Sequence, residues 1–140
     1  MLWTGPAIEW SQMAESLVND SKRVDLLESA YGRQIRFESE GCEAERKNKG
    51  QFFTPPAIAT FMAAQFSGIP KRLRLLDPGA GTGALTLAVC QRLLQSRTPK
   101  RLDVHMFETD SDVLPILRAN MKEAKETLHD VGHQLDYIID

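Results

Sequence analysis

The 140-residue chain is poor in cysteine, in tryptophan and tyrosine, and in net charge. Its two cysteines, Cys42 and Cys90, lie far apart and lack the paired spacing of a zinc site. Neither a disulfide framework nor a zinc module follows from them, and a reduced, cytoplasmic setting is the simplest expectation. The formal net charge of −2 excludes the global basic field that marks many nucleic-acid-binding domains. No apolar run approaches the roughly 20 residues that cross a bilayer, so no membrane partner is expected. The amino terminus lacks the basic-then-apolar pattern of a secretion signal. Internal repeats, low-complexity tracts, a Gly-Lys-Ser or Gly-Lys-Thr phosphate loop, and Ser-His-Asp or Cys-His arrangements are all missing.

With 42% apolar and 26% charged residues, the composition suits one globular domain with a modest core. The basic residues are locally bunched, as Arg46, Lys47 and Lys49 and as Lys71, Arg72 and Arg74. Solvated surface accounts for both clusters. The sharper alternative for the first is an approach to a phosphate backbone.

Trp10, Met13, Leu17 and Val18 recur at helical spacing and predict a helix over residues 8–19. A second helix, capped by Asp20 or Ser21, is expected to run to about Tyr31 and to stop at Gly32. Residues 34–49 are polar and read as a linker. Residues 1–48 thus form a helical arm and linker, and residues 49–140 a second unit. In that unit Thr54 and Pro55 predict a helix start, with the hydroxyl as cap. Ile58, Phe61, Met62, Gln65 and Phe66 follow at helical spacing. Strand, helix, strand, helix and strand are expected near residues 73–77, 84–95, 102–108, 111–128 and 135–139. The alternation is that of parallel α/β winding, which places ligands at the carboxyl ends of its strands.

Asp77, Glu108 and Asp140 fall at those ends. Residues 73–83, LRLLDPGAGTG, carry an apolar strand into alternating glycines. Glycine lets a ligand press on bare backbone, and the following helix turns its positive end toward the loop. The spacing G-x-G-x-G is not that of a dinucleotide fingerprint. A carboxylate at position 77 repels a pyrophosphate and attracts an ammonium group, which suits S-adenosylmethionine better than NAD. Glu108, 25 residues beyond Gly83, is placed to accept hydrogen bonds from ribose hydroxyls of either ligand. A plain helix cap or solvated acid is the simpler role for it. His129 and His133, four apart, have no third ligand nearby, and no metal site is expected.

Together these residues resemble a known family. DPGAGTG (77–83) looks like the first motif of class I S-adenosylmethionine-dependent methyltransferases, and FETD (107–110) resembles the second. GQFFTPP (50–56), upstream of both, resembles the segment that restriction-modification DNA adenine-N6 methyltransferases carry before the glycine loop. The likeness covers about residues 47–140. It implies an α/β fold with an incomplete Rossmann-like parallel sheet, holding the first three strands, preceded by an N-terminal helical segment.

The resemblance also implies roles. Gln51, Phe52, Phe53 and Thr54 would border the methionine half of S-adenosylmethionine, with Thr54 bonded to its carboxylate. Asp77 would face its amino group. Gly79, Ala80 and Gly81 would form the backbone floor, Glu108 would hold the ribose, and Asp140 would lie near the adenine ring. For Thr54 a plain helix cap, and for Phe52 and Phe53 core packing, are the alternatives. The family's Asn-Pro-Pro-Tyr-type loop, which holds a flipped adenine, is missing from the sequence, as is a target recognition domain. The chain alone is therefore expected to be inactive, with DNA contacts belonging to missing C-terminal regions. The absent fourth strand would leave strand one with an open edge, inviting self-association or pairing with a missing half. Competing expectations are a methyltransferase for RNA, protein or small molecules, a non-catalytic cofactor-binding module, and, least suited to the glycines, a dinucleotide dehydrogenase.

Overall fold

A computed structural model describes residues 25–41 and 52–140. The expected helix over residues 8–19, the cluster of Arg46, Lys47 and Lys49, and the positions of Cys42 and Gln51 lie outside the described residues. The elements, in chain order, are α1 (Leu26–Glu40), α2 (Pro56–Ala64), β1 (Arg72–Asp77), α3 (Ala84–Leu93), β2 (Arg101–Met106), α4 (Leu114–Asp130) and β3 (Gln134–Ile139).

The three strands pair in parallel in the order β1-β2-β3. Leu73 is opposite Leu102, and Leu102 is opposite Leu135. Along β2, Leu102, Val104 and Met106 are buried while Arg101, Asp103 and His105 are half-buried. This period of two assigns one sheet face to the core. The core is built by Leu87, Val89 and Leu93 of α3 and by Leu117, Met121, Ala124 and Leu128 of α4, packed with those strand residues. Pro115 sits in the first turn of α4, where its missing N–H breaks no bond. The winding expected from the sequence is the one observed.

Three local expectations change. The cap of α1 is Asp25, whose carboxylate accepts from the N–H groups of Leu27 and Glu28 at 3.0 and 3.1 Å, and not residue 20 or 21. The helix also runs through Gly32 to Glu40, so residues 34–40 are helix, not linker. The reason is amphipathic: Leu26, Leu27, Ala30 and Gln34 are buried while Gly32 lies on the exposed side, where glycine costs a helix only about 1 kcal/mol. In α2 the cap position is Pro55 and the first-turn proline is Pro56, so Thr54 caps nothing. The small residues Ala59 and Ala63 face the core; Ile58, Phe61, Met62 and Phe66 are exposed. Met62 and Phe66 line an apolar cleft of about 210 Å³ with Leu75, Leu76 and Leu85, beside the edge of β1 that no described strand pairs with.

The other sheet face carries ion pairs in place of a second helical layer among the described residues. Asp103 accepts from Arg72 at 2.6 Å and from Arg101 at 2.9 Å, and Arg101 reaches Asp136 at 3.2 Å. Hydrogen bonds from Arg101 and then Arg72 hold the Asp103 carboxyl below its ordinary range. No described helix is long and apolar enough to cross a membrane.

Cys90 is fully enclosed in the core, and burial pushes its thiol up from 9.0 to about 12. A raised folded-state value means that the neutral thiol's contribution is intact below about pH 9 and is lost as pH rises toward 12. In a Cys42→Ser variant, a disulfide reagent at pH 8 should therefore find no reactive thiol in the folded chain. One thiol should appear on denaturation, and stability measured by urea titration should decline above about pH 9.

Candidate functional site

The carboxyl ends of β1 and β2 are stitched to the glycine loop by backbone bonds. Phe107 N–H donates to Asp77 O at 2.9 Å, and Ala80 N–H returns to Phe107 O at 2.9 Å. Gly83 N–H closes a turn on Ala80 O at 2.8 Å. Gly81 and Gly83 have φ of +54° and +88°, a region that L side chains enter at a cost. Those two glycines are required by the turn. Gly79 is different: its φ is ordinary, and a Cβ there would meet nothing within 4 Å. The fold gives no reason for glycine at that position, which leaves exposed backbone open to a ligand.

β2 stops at Met106, two residues short of the expected end, and Glu108 lies just beyond it. One carboxylate oxygen accepts from Gly81 N–H at 2.8 Å and the other from Asp110 N–H at 2.7 Å. The acid is fixed by two backbone donors and retains acceptor capacity on both oxygens. Asp77 is buried, at 6% exposure, and its side chain accepts from the Thr86 hydroxyl at 2.8 Å. Thr86, fully buried in the first turn of α3, was not singled out in the sequence. A hydroxyl among inward-facing apolar residues of that helix is the signal that marks it. Among the described residues Asp77 has no cationic partner, an arrangement that favours a cationic ligand. The first turn of α3 carries no side-chain cap, so its positive end remains available to a carboxylate.

The upstream segment reaches the same place. The Phe53 ring lies 3.5 Å from where a Cβ of Gly81 would stand, and it packs edge-on to Phe37 at 6.1 Å between centroids. Thr54 follows, half-buried. Phe52 is 82% exposed and so takes no part in core packing. Asp140 joins the strand ends through its backbone: Glu108 N–H donates to Asp140 O at 2.9 Å. Its carboxylate lies 2.7 Å from His105 Nε2, which must donate, and the His105 ring stacks on Phe107 at 4.6 Å. The structure thus gathers Phe53, Asp77, Gly79, Ala80, Gly81, Glu108 and the Asp140 backbone at one end of the sheet. No cluster of three or more His, Cys, Asp or Glu side chains suited to a metal occurs among the described residues. α4 ends before Gly132, which parts exposed His129 from buried His133.

A sequence profile of the N-6 DNA methylase family matches residues 23–138. The chain is 40% identical over 84 residues to the type II methyltransferase M.BsuBI of Bacillus subtilis. That match takes in 57% of this chain and 17% of the relative, so the chain corresponds to a small part of the relative's length.

The two kinds of glycine separate by mutation. In Gly83→Ala the new methyl would stand 2.9 Å from Leu117 Cδ1 in the core as well as at positive φ, so a loss of about 2–4 kcal/mol in urea unfolding is expected. Gly79→Ala should unfold within about 0.5 kcal/mol of the parent chain.

Proposed function

The chain belongs to the N-6 DNA methylase family, and from that premise we propose that it is the S-adenosylmethionine-binding part of a restriction-modification DNA adenine-N6 methyltransferase. The observation that carries the proposal is the buried Asp77 carboxylate, satisfied by a neutral hydroxyl and lacking a described cation, beside bare backbone at Gly79. An α-amino group supplies the missing positive charge. The residues present fit the rest of the cofactor. Thr54 and the uncapped start of α3 suit its carboxylate, and Phe52 and Phe53, with Gln51 before them in sequence, would border the methionine half. Gly79, Ala80 and Gly81 form the floor. Glu108, already oriented by Gly81 and Asp110, takes the ribose diol with its remaining lone pairs. Asp140, beside Glu108 in the backbone, lies toward the adenine.

Bound in this way, the cofactor supplies an electrophilic methyl group. The chain's own contribution is to bind and orient, the part of catalysis that comes from proximity and fixed electrostatics. The sequence holds no Asn-Pro-Pro-Tyr-type loop to receive an adenine amino group. We therefore assign DNA contacts and the catalytic loop to regions beyond these residues, and this chain alone binds without methylating. Such an enzyme works in the cytoplasm. The free edge of β1 and the exposed apolar residues of α2 are the surfaces on which a missing half or a second copy would pair.

Titration calorimetry with S-adenosylmethionine should show saturable binding to the parent chain and none of comparable strength with NADH. Glu108→Ala should weaken binding at least about tenfold, as expected for loss of a charged hydrogen-bond acceptor. Gly79→Val should abolish binding while leaving the melting temperature unchanged. Absence of heat with S-adenosylmethionine at millimolar concentration would refute the assignment.

A further inference from the structure

The glycine loop has a second side, turned away from the ligand end, and it is held by polar side chains from helices that carry none of the recognised motifs. Thr82, at 2% exposure, lies between α1 and α4. Asn120, at 1% exposure on the inward face of α4, donates from Nδ2 to the Thr82 carbonyl at 2.7 Å. Its Oδ1 accepts from Arg33 Nη1 of α1 at 2.7 Å. Arg33 Nη2 pairs with Glu123 at 2.5 Å, and Ser29 donates to the same carboxylate at 3.0 Å. The Thr82 hydroxyl adds a longer bond, 3.3 Å, to Gln34 Oε1.

This arrangement has a direction. An amide has one donor and one acceptor end, and Arg33 occupies the acceptor end. The Asn120 NH2 group is thereby left facing Thr82 and nowhere else. Thr82 stands between Gly81 and Gly83, the two residues of positive φ, so the position of its carbonyl sets the tilt of the Thr82–Gly83 peptide plane, and with it the Gly83 N–H. On the other side Glu108 holds the Gly81 N–H. The loop is clamped between an acceptor at its ligand side and a donor at its rear.

We propose that Arg33 and Asn120 are positioning residues for the cofactor, acting through Thr82, so that the docking of α1 sets how well the glycine loop binds its ligand. This rests on the cofactor site proposed above. It gives α1 a role in binding although no residue of α1 is assigned to touch the ligand.

The test compares Asn120→Asp, Arg33→Lys and Ser29→Ala in the whole chain. Asn120→Asp keeps the acceptor for Arg33 and replaces the donor to Thr82 with a repelling oxygen. Arg33→Lys keeps the charge and loses the two-pronged contact. Ser29→Ala perturbs the same helix interface without touching Asn120 or the loop. Two readouts are taken well below the melting temperature: the Kd for S-adenosylmethionine and hydrogen-exchange protection of the Gly81 and Gly83 amides. Asn120→Asp should weaken binding about tenfold and lower protection at both amides, the effect of one lost buried hydrogen bond. Arg33→Lys should shift both in the same direction by about threefold, half of that bond in free energy. Ser29→Ala should move neither. If Asn120→Asp does not fold, Arg33→Lys against Ser29→Ala decides by the same two readouts.

Equal effects from Ser29→Ala, or unchanged protection and Kd in the other two variants, would overturn the proposal and leave the cofactor site standing. If the parent chain binds no S-adenosylmethionine, the cofactor site fails separately. Protection lost in Asn120→Asp but kept in Ser29→Ala would then still support the clamp, and equal protection in the two would overturn it.

Discussion

The contact on which the ligand end of this molecule depends is the bond from Gly81 N–H to the carboxylate of Glu108, 2.8 Å long. It joins the segment that follows β2 to the loop that follows β1, across 27 positions of sequence. Without it the loop between Asp77 and α3 would keep the Ala80 N–H bond to Phe107 and the Asn120 bond at its rear, but the Gly81 N–H would lose its acceptor. With it, the acid and the bare backbone become one rigid unit. A carboxylate held by two peptide donors cannot swing into solvent, so little further order is lost when a diol arrives. Charge-assisted bonds of this kind are about twice as strong as neutral ones, which makes Glu108 a structural residue of the loop as well as a candidate ligand contact.

The sheet that presents this unit has only one covered face among the described residues. Parallel sheets ordinarily bury both faces under helices. Here the uncovered face divides along the strands. Toward the amino ends it carries the Arg72, Asp103, Arg101 and Asp136 ion pairs, which need no cover. Toward the carboxyl ends it carries Leu76 and Ile138, both more than half exposed. The apolar exposure is therefore concentrated beside the ligand end and continues across the edge of β1, unpaired among the described residues, to Met62 and Phe66.

The sequence made the winding legible because each element repeats one physical pattern. The apolar run into DPGAGTG and the inward stripe of Leu117, Met121, Ala124 and Leu128 hold regardless of neighbours. α1 was harder. Its second half is polar enough to read as linker, and Gly32 sits where a helix stop is expected. Only tertiary packing of Leu26, Leu27 and Ala30 shows why the helix continues. The helix-cap reading of Thr54 failed because a hydroxyl before Pro-Pro fits two registers, and the helix took the later one. At the site, Asp77, Glu108 and the glycines were visible as residue types at strand ends. Thr86, Asn120 and Arg33 were not, since their partners lie 9, 38 and 87 positions away. A polar residue on an apolar helix face was the available trace of the first two.

The proposed preference for a cationic nucleoside over a dinucleotide follows from where the site's negative charge is spent. Dinucleotide loops keep acids away from the glycines because the pyrophosphate brings two negative charges to that spot. Here Asp77 is buried directly before the loop and meets a neutral hydroxyl, so its charge is only partly compensated. A pyrophosphate approaching Gly79 would meet like charge in a poorly solvated setting, where repulsion is several-fold stronger than in water. An ammonium group meets the opposite condition. A carboxylate on the same ligand is then accommodated by the start of α3, whose positive end no side chain caps. One acid and one helix end, on either side of bare backbone, thus match the two charges of an amino acid. Glu108 beyond them matches a diol and no phosphate.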